Sequence, residues 1–278
     1  MNNQATLEKN NYILEDSFES ERLADQNSSR NYRLIEELNP CDYSLSQGQV
    51  VLDAGCGNAE VTNFLLKENK EVDCKIHMRD ISAKRIEDGL IRVKSDKKVS
   101  FSVGNLSEIP QLDNSFDKIF CRYVYQHLSN PQEVTNELFR TLKVGGELII
   151  IDVNGLMFDM VTGNEKLNQM IKILRNGLSN FEAYVCGKVS GYLYKAGFQL
   201  NQINRTTKYM QFANPMDRLS ESLLFQKRFS QIDPTLKEIL GKDSEIFKNL
   251  FIDEILNPNS YMEYEKRIIR AVKTVKLH

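Results

Sequence analysis

A twelve-residue stretch, VVLDAGCGNAEV at residues 50–61, places the strongest constraint on the fold. Three apolar residues lead into an acid, and two glycines follow before an apparent helix start. A short apolar run bounded by turn residues is typical of a buried parallel strand. Glycines allow a tight turn and the close approach of a ligand to the backbone. The stretch therefore predicts a strand–turn–helix unit whose helix N-terminus faces a ligand.

The segment that follows alternates between strand and helix patterns. Strands are predicted at 49–54, 72–80, 99–103, 117–122 and 147–153, and helices at 58–68, 82–94 and 131–142. Alternation at this spacing indicates an α/β fold with a mainly parallel sheet and helices on both faces. Right-handed crossovers bring the strand carboxyl ends to one edge, where ligands bind in such sheets.

The remaining segments predict further helices and two more strands around this unit. Helices are expected at 17–38, 165–176, 187–196, 216–229 and 234–256, and strands at 198–208 and 267–277, although a helix is also compatible with the last segment. We expect a seven-stranded Rossmann-like sheet in a single domain. Its core is 40–154, completed by 187–208 and 266–278, and a helical cap is formed by 9–38, 155–186 and 209–265.

Composition excludes several classes of function. The 278 residues are 41% hydrophobic and 27% charged, with a net charge of -2, so nucleic acid and anionic membranes are not expected partners. No apolar run approaches the ~20 residues that span a bilayer, and the polar start MNNQATLEKNN predicts no signal peptide. Five scattered cysteines without a CxxC pair fit a reducing cytosol. With three unclustered histidines, we expect a cytoplasmic protein without a metal site, whose activity survives chelation.

The acids at two strand ends indicate the kind of ligand. Asp53 lies beside the glycine turn, where it would repel a phosphate but suits an amino group. Asp80 ends the second strand and can accept both hydroxyls of a ribose, although a helix cap next to Ser82 is an alternative. After the third strand, the Asn105 amide can pair with an adenine edge and Leu106 can pack on the ring. These residues favour a nucleoside cofactor that carries an amino acid.

Five motifs in this order resemble the class I S-adenosylmethionine-dependent methyltransferases, in the small-molecule branch that includes quinone and natural-product enzymes. They are DAGCGNAEV, RDIS, GNL, the NSFDKIF…QHLSNP run and LKVGGELIIID, within residues 49–152. GYLYKAGF, at residues 191–198, is similar to a helix-to-strand turn of that family. The early segment NYILEDSFESERLADQ resembles one found before the core in a subgroup.

The resemblance implies a set of S-adenosylmethionine contacts. Around the methionine part it implies Asp53, Gly55, Cys56 and Gly57, the backbone carbonyl of Arg122 at the ammonium, and Tyr12, Arg22 and Gln26 at the carboxylate. Around the adenosine part it implies Asp80 at the ribose and Ile81, Asn105 and Leu106 at the adenine.

Two positions depart from the family pattern. Ala59 replaces a third glycine, and we expect it to be tolerated because the residue is already helical. Asn105 stands where the family more often has Asp, and an amide is a weaker acceptor than a charged oxygen.

The methyl acceptor is expected in a closed, largely apolar pocket under the cap. His127 is a candidate general base, with a structural role as the alternative. Tyr123 and Tyr125 either line the acceptor site or pack in the core. Phe225, on the apolar helix 216–229, is assigned either to substrate binding or to the core.

The predicted reaction is a metal-independent in-line transfer of a methyl group to an N, O or C nucleophile of a small molecule, with S-adenosylhomocysteine as product. A regulatory protein that binds the cofactor without transferring methyl groups is the alternative of a different class, and cofactor turnover discriminates the two. A nicotinamide-dependent oxidoreductase would require G-x-G-x-x-G, whereas Glu60 stands at the last glycine. The acceptor and the oligomeric state are left open.

Overall fold

The computed structural model of the chain describes residues 22–23, 25–26, 29–178 and 181–275. Tyr12 and the start of the predicted helix 17–38 lie outside these residues.

An eight-stranded sheet runs through the described residues, in the order β3-β2-β1-β4-β5-β8-β6, with β7 paired to β8. The strands are β1 (Val50–Ala54), β2 (Lys75–Asp80), β3 (Val99–Val103), β4 (Phe116–Arg122), β5 (Leu142–Asn154), β6 (Met160–Val161), β7 (Ile203–Gln211) and β8 (Tyr261–Val272). The pairs among β1 to β5 are parallel, whereas β8 runs antiparallel to β5, β6 and β7. The predicted α/β Rossmann-like class is confirmed, and the eighth strand is the two-residue β6.

Helices flank this sheet and form the cap. They are α1 (Leu34–Leu38), α2 (Glu60–Glu68), α3 (Ala83–Arg92), α4 (Pro131–Thr141), α5 (Glu165–Gly177), α6 (Cys186–Ala196), α7 (Pro215–Gln231), α8 (Asp233–Leu240) and α9 (Ser244–Leu256). The strand order brings the carboxyl ends of β1, β2 and β4 side by side, because β1 pairs with both neighbours in parallel.

Two predicted helices are interrupted. In the segment 17–38, the described part contains a 3-10 turn at Arg30–Tyr32 and then α1, because Arg33 adopts an extended conformation between them. The predicted helix 234–256 is divided into α8 and α9 at Gly241, whose φ of 59° and ψ of -132° are incompatible with a helix. Glycine tolerates such angles without steric cost.

The last strand begins six residues before its predicted start at 267. Its first half, YMEYEKR, carries charged residues that hide the strand pattern, yet alternate side chains from Met262 onward are buried. Lys266 is among the buried ones, since its ammonium donates to Glu37 Oε1 at 2.6 Å. Lys266 therefore hides the strand pattern in the sequence, because its burial depends on Glu37, 229 residues earlier in the chain.

The cap has its own aromatic core. Four phenylalanines of α7 and α9 pack together: Phe225, Phe229, Phe247 and Phe251. Ring centroids lie 4.9 Å apart for Phe225 and Phe251, and 5.3 Å apart for Phe229 and Phe251. The same cluster includes Val153 at the end of β5. The cap core is therefore continuous with the edge of the sheet at which β5 ends.

Replacing Phe251 with alanine should lower the free energy of unfolding by about 3–5 kcal/mol, because the ring is fully buried among three other rings. Urea unfolding followed by circular dichroism measures the change. Ile246→Ala on the same helix is the matched control, since Ile246 is 40% exposed and should cost less than about 1 kcal/mol. Equal losses in the two variants would contradict this account of the cap core.

Candidate functional site

The turn between β1 and α2 contains three residues with left-handed backbone: Gly55 (φ 71°), Gly57 (φ 52°) and Ala59 (φ 62°). A Cβ on Gly55 would lie 2.5 Å from Val124 Cγ2, so this position requires glycine for packing as well. At Gly57 an added Cβ would be in ordinary contact with Leu23 Cδ1, 3.7 Å away, so the positive φ, and not the packing, favours glycine there. The turn is thus shaped to let another group approach its backbone.

Ala59 corrects the expectation that it is already helical. It is the N-terminal cap of α2 and has a left-handed conformation. The methyl group of Ala59 fits because the facing residue on α3 is Gly89, where an added Cβ would lie 3.0 Å from Ala59 Cβ. Gly89 of the neighbouring helix therefore leaves the space that the methyl group of Ala59 needs.

Asp53 lies at the end of β1 with one oxygen engaged. Its Oδ2 accepts from the backbone N–H of Thr62 at 3.1 Å and from the Thr62 hydroxyl at 2.7 Å. Oδ1 accepts no hydrogen bond from the described residues. Burial raises the pKa of Asp53 to about 6, and the nearby charge of Asp80 adds to this. A cationic group at this position would favour the ionised carboxylate.

Asp80 ties the end of β2 to the glycine turn. Its Oδ2 accepts from the Gly57 N–H at 2.9 Å, and its Oδ1 accepts from the Ser82 N–H at 3.0 Å. Each carboxylate oxygen has a further lone pair, so two ligand hydroxyls can still be accepted. The N-terminal cap of α3 is Ser82 itself, whose hydroxyl accepts from the Arg85 N–H, so Asp80 is not that cap.

Arg79 supports the predicted adenine loop and was missed by the sequence reasoning. Its Nε and Nη2 donate to the Asn105 carbonyl at 3.1 and 3.0 Å, and Nη2 donates to the Glu108 carbonyl at 2.7 Å. A Cβ on Gly104 would lie 2.5 Å from Nη2, which explains the glycine in GNL. The sequence offers one signal for this role: an arginine at the end of a buried strand normally requires a hydrogen-bond or charged partner.

Two adjoining cavities lie at this edge and share Gly55, Tyr123 and His127. The larger, of about 650 Å³, collects the residues predicted for adenosine: Asp80, Ile81, Asn105 and Leu106. The smaller, of about 130 Å³, collects those predicted for methionine: Arg22, Gln26, Asp53, Cys56, Gly57 and Arg122. The structure thus brings the predicted cofactor residues within the described range into two groups that correspond to the two halves of the cofactor.

Arg22 and Gln26 join the smaller cavity from the N-terminal side. Arg22 Nη1 donates to Gln26 Oε1 at 2.7 Å, and the same oxygen accepts from Arg228 Nη2 at 3.3 Å. Arg228 belongs to α7 of the cap and pairs with the fully buried Glu221 at 3.2 Å. The sequence did not predict that Arg228 lines this cavity, because α7 has the pattern of an ordinary apolar helix. It links the cap to the residues expected at the cofactor carboxylate.

A buried ionic network fixes the end of β4. Glu37 accepts from Arg122 Nε at 2.6 Å, from Lys266 Nζ at 2.6 Å and from the Tyr123 hydroxyl at 2.5 Å. Burial alone would raise the pKa of Glu37, but the charges of Arg122 and Lys266 outweigh it and lower the pKa. Tyr123 has a φ of 57°, a strained conformation for an aromatic residue. The network holds that strained residue at the wall that the two cavities share.

The other predicted acceptor residues lie in different surroundings. Tyr125 is fully buried, with its hydroxyl 2.9 Å from Thr135 Oγ1, so its ring belongs to the core below the larger cavity. Phe225 is also fully buried and lines neither cavity, because it packs between Phe251 and Arg228. Phe225 thus packs in the cap core, whereas Tyr125 packs in the core and also lines the larger cavity.

His127 and Cys56 differ in the chemistry that they can offer. Burial lowers the pKa of His127 to about 3, assisted by the charges of Arg85 and Arg22, so the imidazole is neutral. Burial raises the pKa of the Cys56 thiol well above its usual range, with Asp53 contributing. Cys56 is therefore an uncharged small residue in the turn rather than a nucleophile.

A family model described as "Methyltransferase domain" matches residues 45–214, more than half of the chain. The chain belongs to this methyltransferase family. The predicted family is thereby confirmed, and S-adenosylmethionine is the cofactor of class I methyltransferases with this fold.

Relatives with curated names include methyltransferases of small molecules. Methyltransferase GfsG of Streptomyces halstedii is 29% identical over 145 residues, covering 50% of this chain and 49% of the relative. The ubiquinone/menaquinone biosynthesis C-methyltransferase UbiE of a Ruegeria species is 25% identical over 150 residues, covering 53% and 57%. The chain thus spans about half the length of these relatives.

A solved structure supports the fold. The phosphoethanolamine N-methyltransferase 2 of Haemonchus contortus, in complex with phosphomonomethylethanolamine and S-adenosylhomocysteine, aligns with a TM-score of 0.56. The alignment covers 98% of this chain and 59% of that one at 18% identity.

The affinity for S-adenosylhomocysteine should fall as the pH is lowered through about 6. The ligand ammonium favours ionised Asp53, so the complex holds fewer protons than the free protein and affinity decreases below the free pKa of about 6. The decrease should reach at most about tenfold per pH unit and level off above pH 7. Calorimetric titrations between pH 5 and 8 measure it, and Asp53→Asn should bind more weakly with a flatter profile. An unchanged slope in that variant would remove Asp53 from the cofactor site.

Glu37→Gln should lower the free energy of unfolding by about 3–5 kcal/mol, because Arg122 and Lys266 would keep buried charges without their carboxylate. Urea denaturation at pH 7 measures the loss. Glu36→Gln is the matched control, since its side chain is 55% exposed and the change should stay within about 0.5 kcal/mol. A Glu37 variant as stable as the control would mean that the network is not needed for folding.

Proposed function

We propose that this protein transfers a methyl group from S-adenosylmethionine to an N, O or C nucleophile of a small molecule. The observation that carries the proposal is the pair of adjoining cavities, with Asp80 at one, Asp53 at the other and the glycine turn between them. The family match and the small-molecule methyltransferases among the relatives support it.

The residues present fit the cofactor in both cavities. In the larger cavity Asp80 would accept the ribose hydroxyls, while Asn105 and Leu106 would contact the adenine. In the smaller one the free Oδ1 of Asp53 and the Arg122 carbonyl would accept from the ammonium. Gly57 lines this cavity, where the methionine chain would lie.

The carboxylate of the cofactor has a separate set of donors. Arg22 and Gln26 lie in the smaller cavity and are already joined by a hydrogen bond. Arg228 adds a third donor from the cap. We include Arg228 in the proposed carboxylate site, which would make cofactor binding and cap position depend on each other.

The protein would contribute alignment, exclusion of water and a place for the proton. When bound, S-adenosylmethionine supplies a methyl group whose bond to the sulfonium breaks with both electrons remaining on sulfur. Holding the acceptor in line with that bond can lower the activation free energy by about 7–11 kcal/mol. His127 lines both cavities as a neutral imidazole, so it can receive the proton that a hydroxyl acceptor loses as it is methylated. Its low pKa makes it a weak base, suited to an acceptor that becomes acidic only as the new bond forms.

A small-molecule acceptor fits the surroundings of the smaller cavity. Its wall on the cap side is apolar and consists of Val153, Leu156, Leu178, Phe181 and Ile232. A space of about 130 Å³ between the sheet edge and the cap does not admit a folded protein or a duplex. Among the described residues no helix is long and apolar enough to cross a membrane, and no group of His, Cys, Asp and Glu is placed to hold a metal ion.

Turnover tests the proposal against a regulatory protein that only binds the cofactor. With methyl-labelled S-adenosylmethionine and a small-molecule extract, the protein should release S-adenosylhomocysteine and transfer label to a low-mass product. Asp80→Ala should weaken S-adenosylhomocysteine binding by about 2–3 kcal/mol, because ligand hydroxyls lose their acceptor. Glu71→Ala, at an exposed acid away from both cavities, is the control. Tight binding without any release of S-adenosylhomocysteine would support the regulatory alternative instead.

A further inference from the structure

The side chain of Gln126 lines the smaller cavity with a polar atom that has no partner. Gln126 is 7% exposed, and its Oε1 is buried without a hydrogen bond in the structure. Neither the proposed cofactor contacts nor the packing of the fold uses this amide oxygen. A buried acceptor left without a donor is unfavourable, so its presence requires a reason.

The backbone of Gln126 determines where this oxygen lies. Gln126 is the middle residue of the 3-10 turn Tyr125–His127 that follows β4. Its N–H donates to Asp152 Oδ2 at 3.3 Å, and its carbonyl accepts from the Glu182 N–H at 2.8 Å. The turn is therefore held from two sides, which fixes the backbone of Gln126 at the cavity wall.

The surroundings of Gln126 suit a largely apolar ligand. The apolar wall on the cap side lies in the same cavity, and the neighbouring His127 is neutral. Two of the four described arginines that line the cavity pair with buried carboxylates, Arg122 with Glu37 and Arg228 with Glu221, and the other two are Arg22 and Arg85. The cavity thus offers a hydrogen-bond acceptor beside apolar side chains.

We propose that Gln126 orients the methyl acceptor, and that the acceptor is a small, largely apolar molecule with a neutral hydroxyl or amine that donates to Gln126 Oε1. This inference rests on the proposed methyl transfer and narrows its acceptor from any nucleophile to one with an O–H or N–H group. The terminal torsion of a glutamine side chain is broad, so the amide can turn towards a ligand in the cavity that it lines.

The bonds that form and break in the transfer, and the proton that is released, can all be accounted for. A bond forms between the acceptor heteroatom and the methyl carbon, and the carbon–sulfur bond breaks with its electron pair staying on sulfur. A methylated hydroxyl oxygen then loses its proton, which the neutral imidazole of His127, next in the chain and in the same cavity, receives. A methylated amine keeps its proton and leaves as an ammonium ion.

Two matched probes test this role: phenol, which donates a hydrogen bond, and anisole, which has the same ring without a donor. Binding of each to the protein saturated with S-adenosylhomocysteine is measured by ligand-observed NMR. The wild-type protein should bind phenol about tenfold more tightly than anisole, because only phenol satisfies Oε1. Gln126→Leu should abolish this preference, and Gln126→Glu, which retains acceptor oxygens, should keep it. Gln226→Leu, the same change at an exposed position of α7 outside both cavities, should behave as wild type.

A purely structural role for Gln126 predicts different results. If the amide supported the fold, Gln126→Leu would unfold at a lower urea concentration; we expect an equal or higher midpoint, since an unpaired buried oxygen is removed. A phenol preference that survives in Gln126→Leu, or no preference in the wild type, overturns the proposal. Absence of S-adenosylhomocysteine binding by the wild type is a separate outcome that overturns the proposed function itself.

Discussion

The buried carboxylate of Glu37 is the interaction on which the geometry of the site depends. It accepts from Arg122, Tyr123 and Lys266, which lie 85, 86 and 229 residues further along the chain. One side chain thus connects the segment before the core, the end of β4 and the last strand. Taking one carboxylate and two cations out of water is costly unless all are paired. The network thus links Lys266 of the last strand to Tyr123 at the wall that the two cavities share.

That dependence on the last strand explains why the cap and the core behave as parts of one site. β8 pairs with β5 and β7 and also carries Lys266 into the ionic network. Arg228 from the cap meets Gln26, which Arg22 also contacts. The residues proposed for the cofactor carboxylate therefore come from two distant parts of the chain, and neither set is complete without the other.

The sequence predicted the parts of the site that rest on local rules. The glycine turn, Asp53, Asp80 and the loop at Asn105 follow from strand ends and turn residues, and the structure places them around the two cavities. The parts it missed depend on partners far away. Nothing near Lys266 indicates that this cation is buried, because its carboxylate, Glu37, lies 229 residues away. Arg228 pairs with Glu221 of its own helix, but its contact with Gln26 spans 202 residues.

The points that the sequence left open or predicted wrongly also depend on contacts between distant parts of the chain. Phe225 has the pattern of a residue on an apolar helix face, and only the packing of α7 against α9 decides that this face points into the cap. The division of the helix 234–256 at Gly241 and the early start of β8 likewise depend on tertiary contacts that outweigh local propensity. Residue Tyr12 stays a prediction, as does the role of His127 in proton transfer.

The contact between Ala59 and Gly89 has a consequence for how this turn can change over generations. Each position limits the other, since the methyl group of Ala59 occupies the space that a side chain on α3 would need. An ancestor with glycine at 59 could accept a larger residue at 89, but a chain that has already acquired alanine at 59 cannot. The two sites are thus epistatic, and the order in which substitutions occur decides which of them are open to selection. A substitution at one of these two positions can in this way restrict which residues later generations accept at the other.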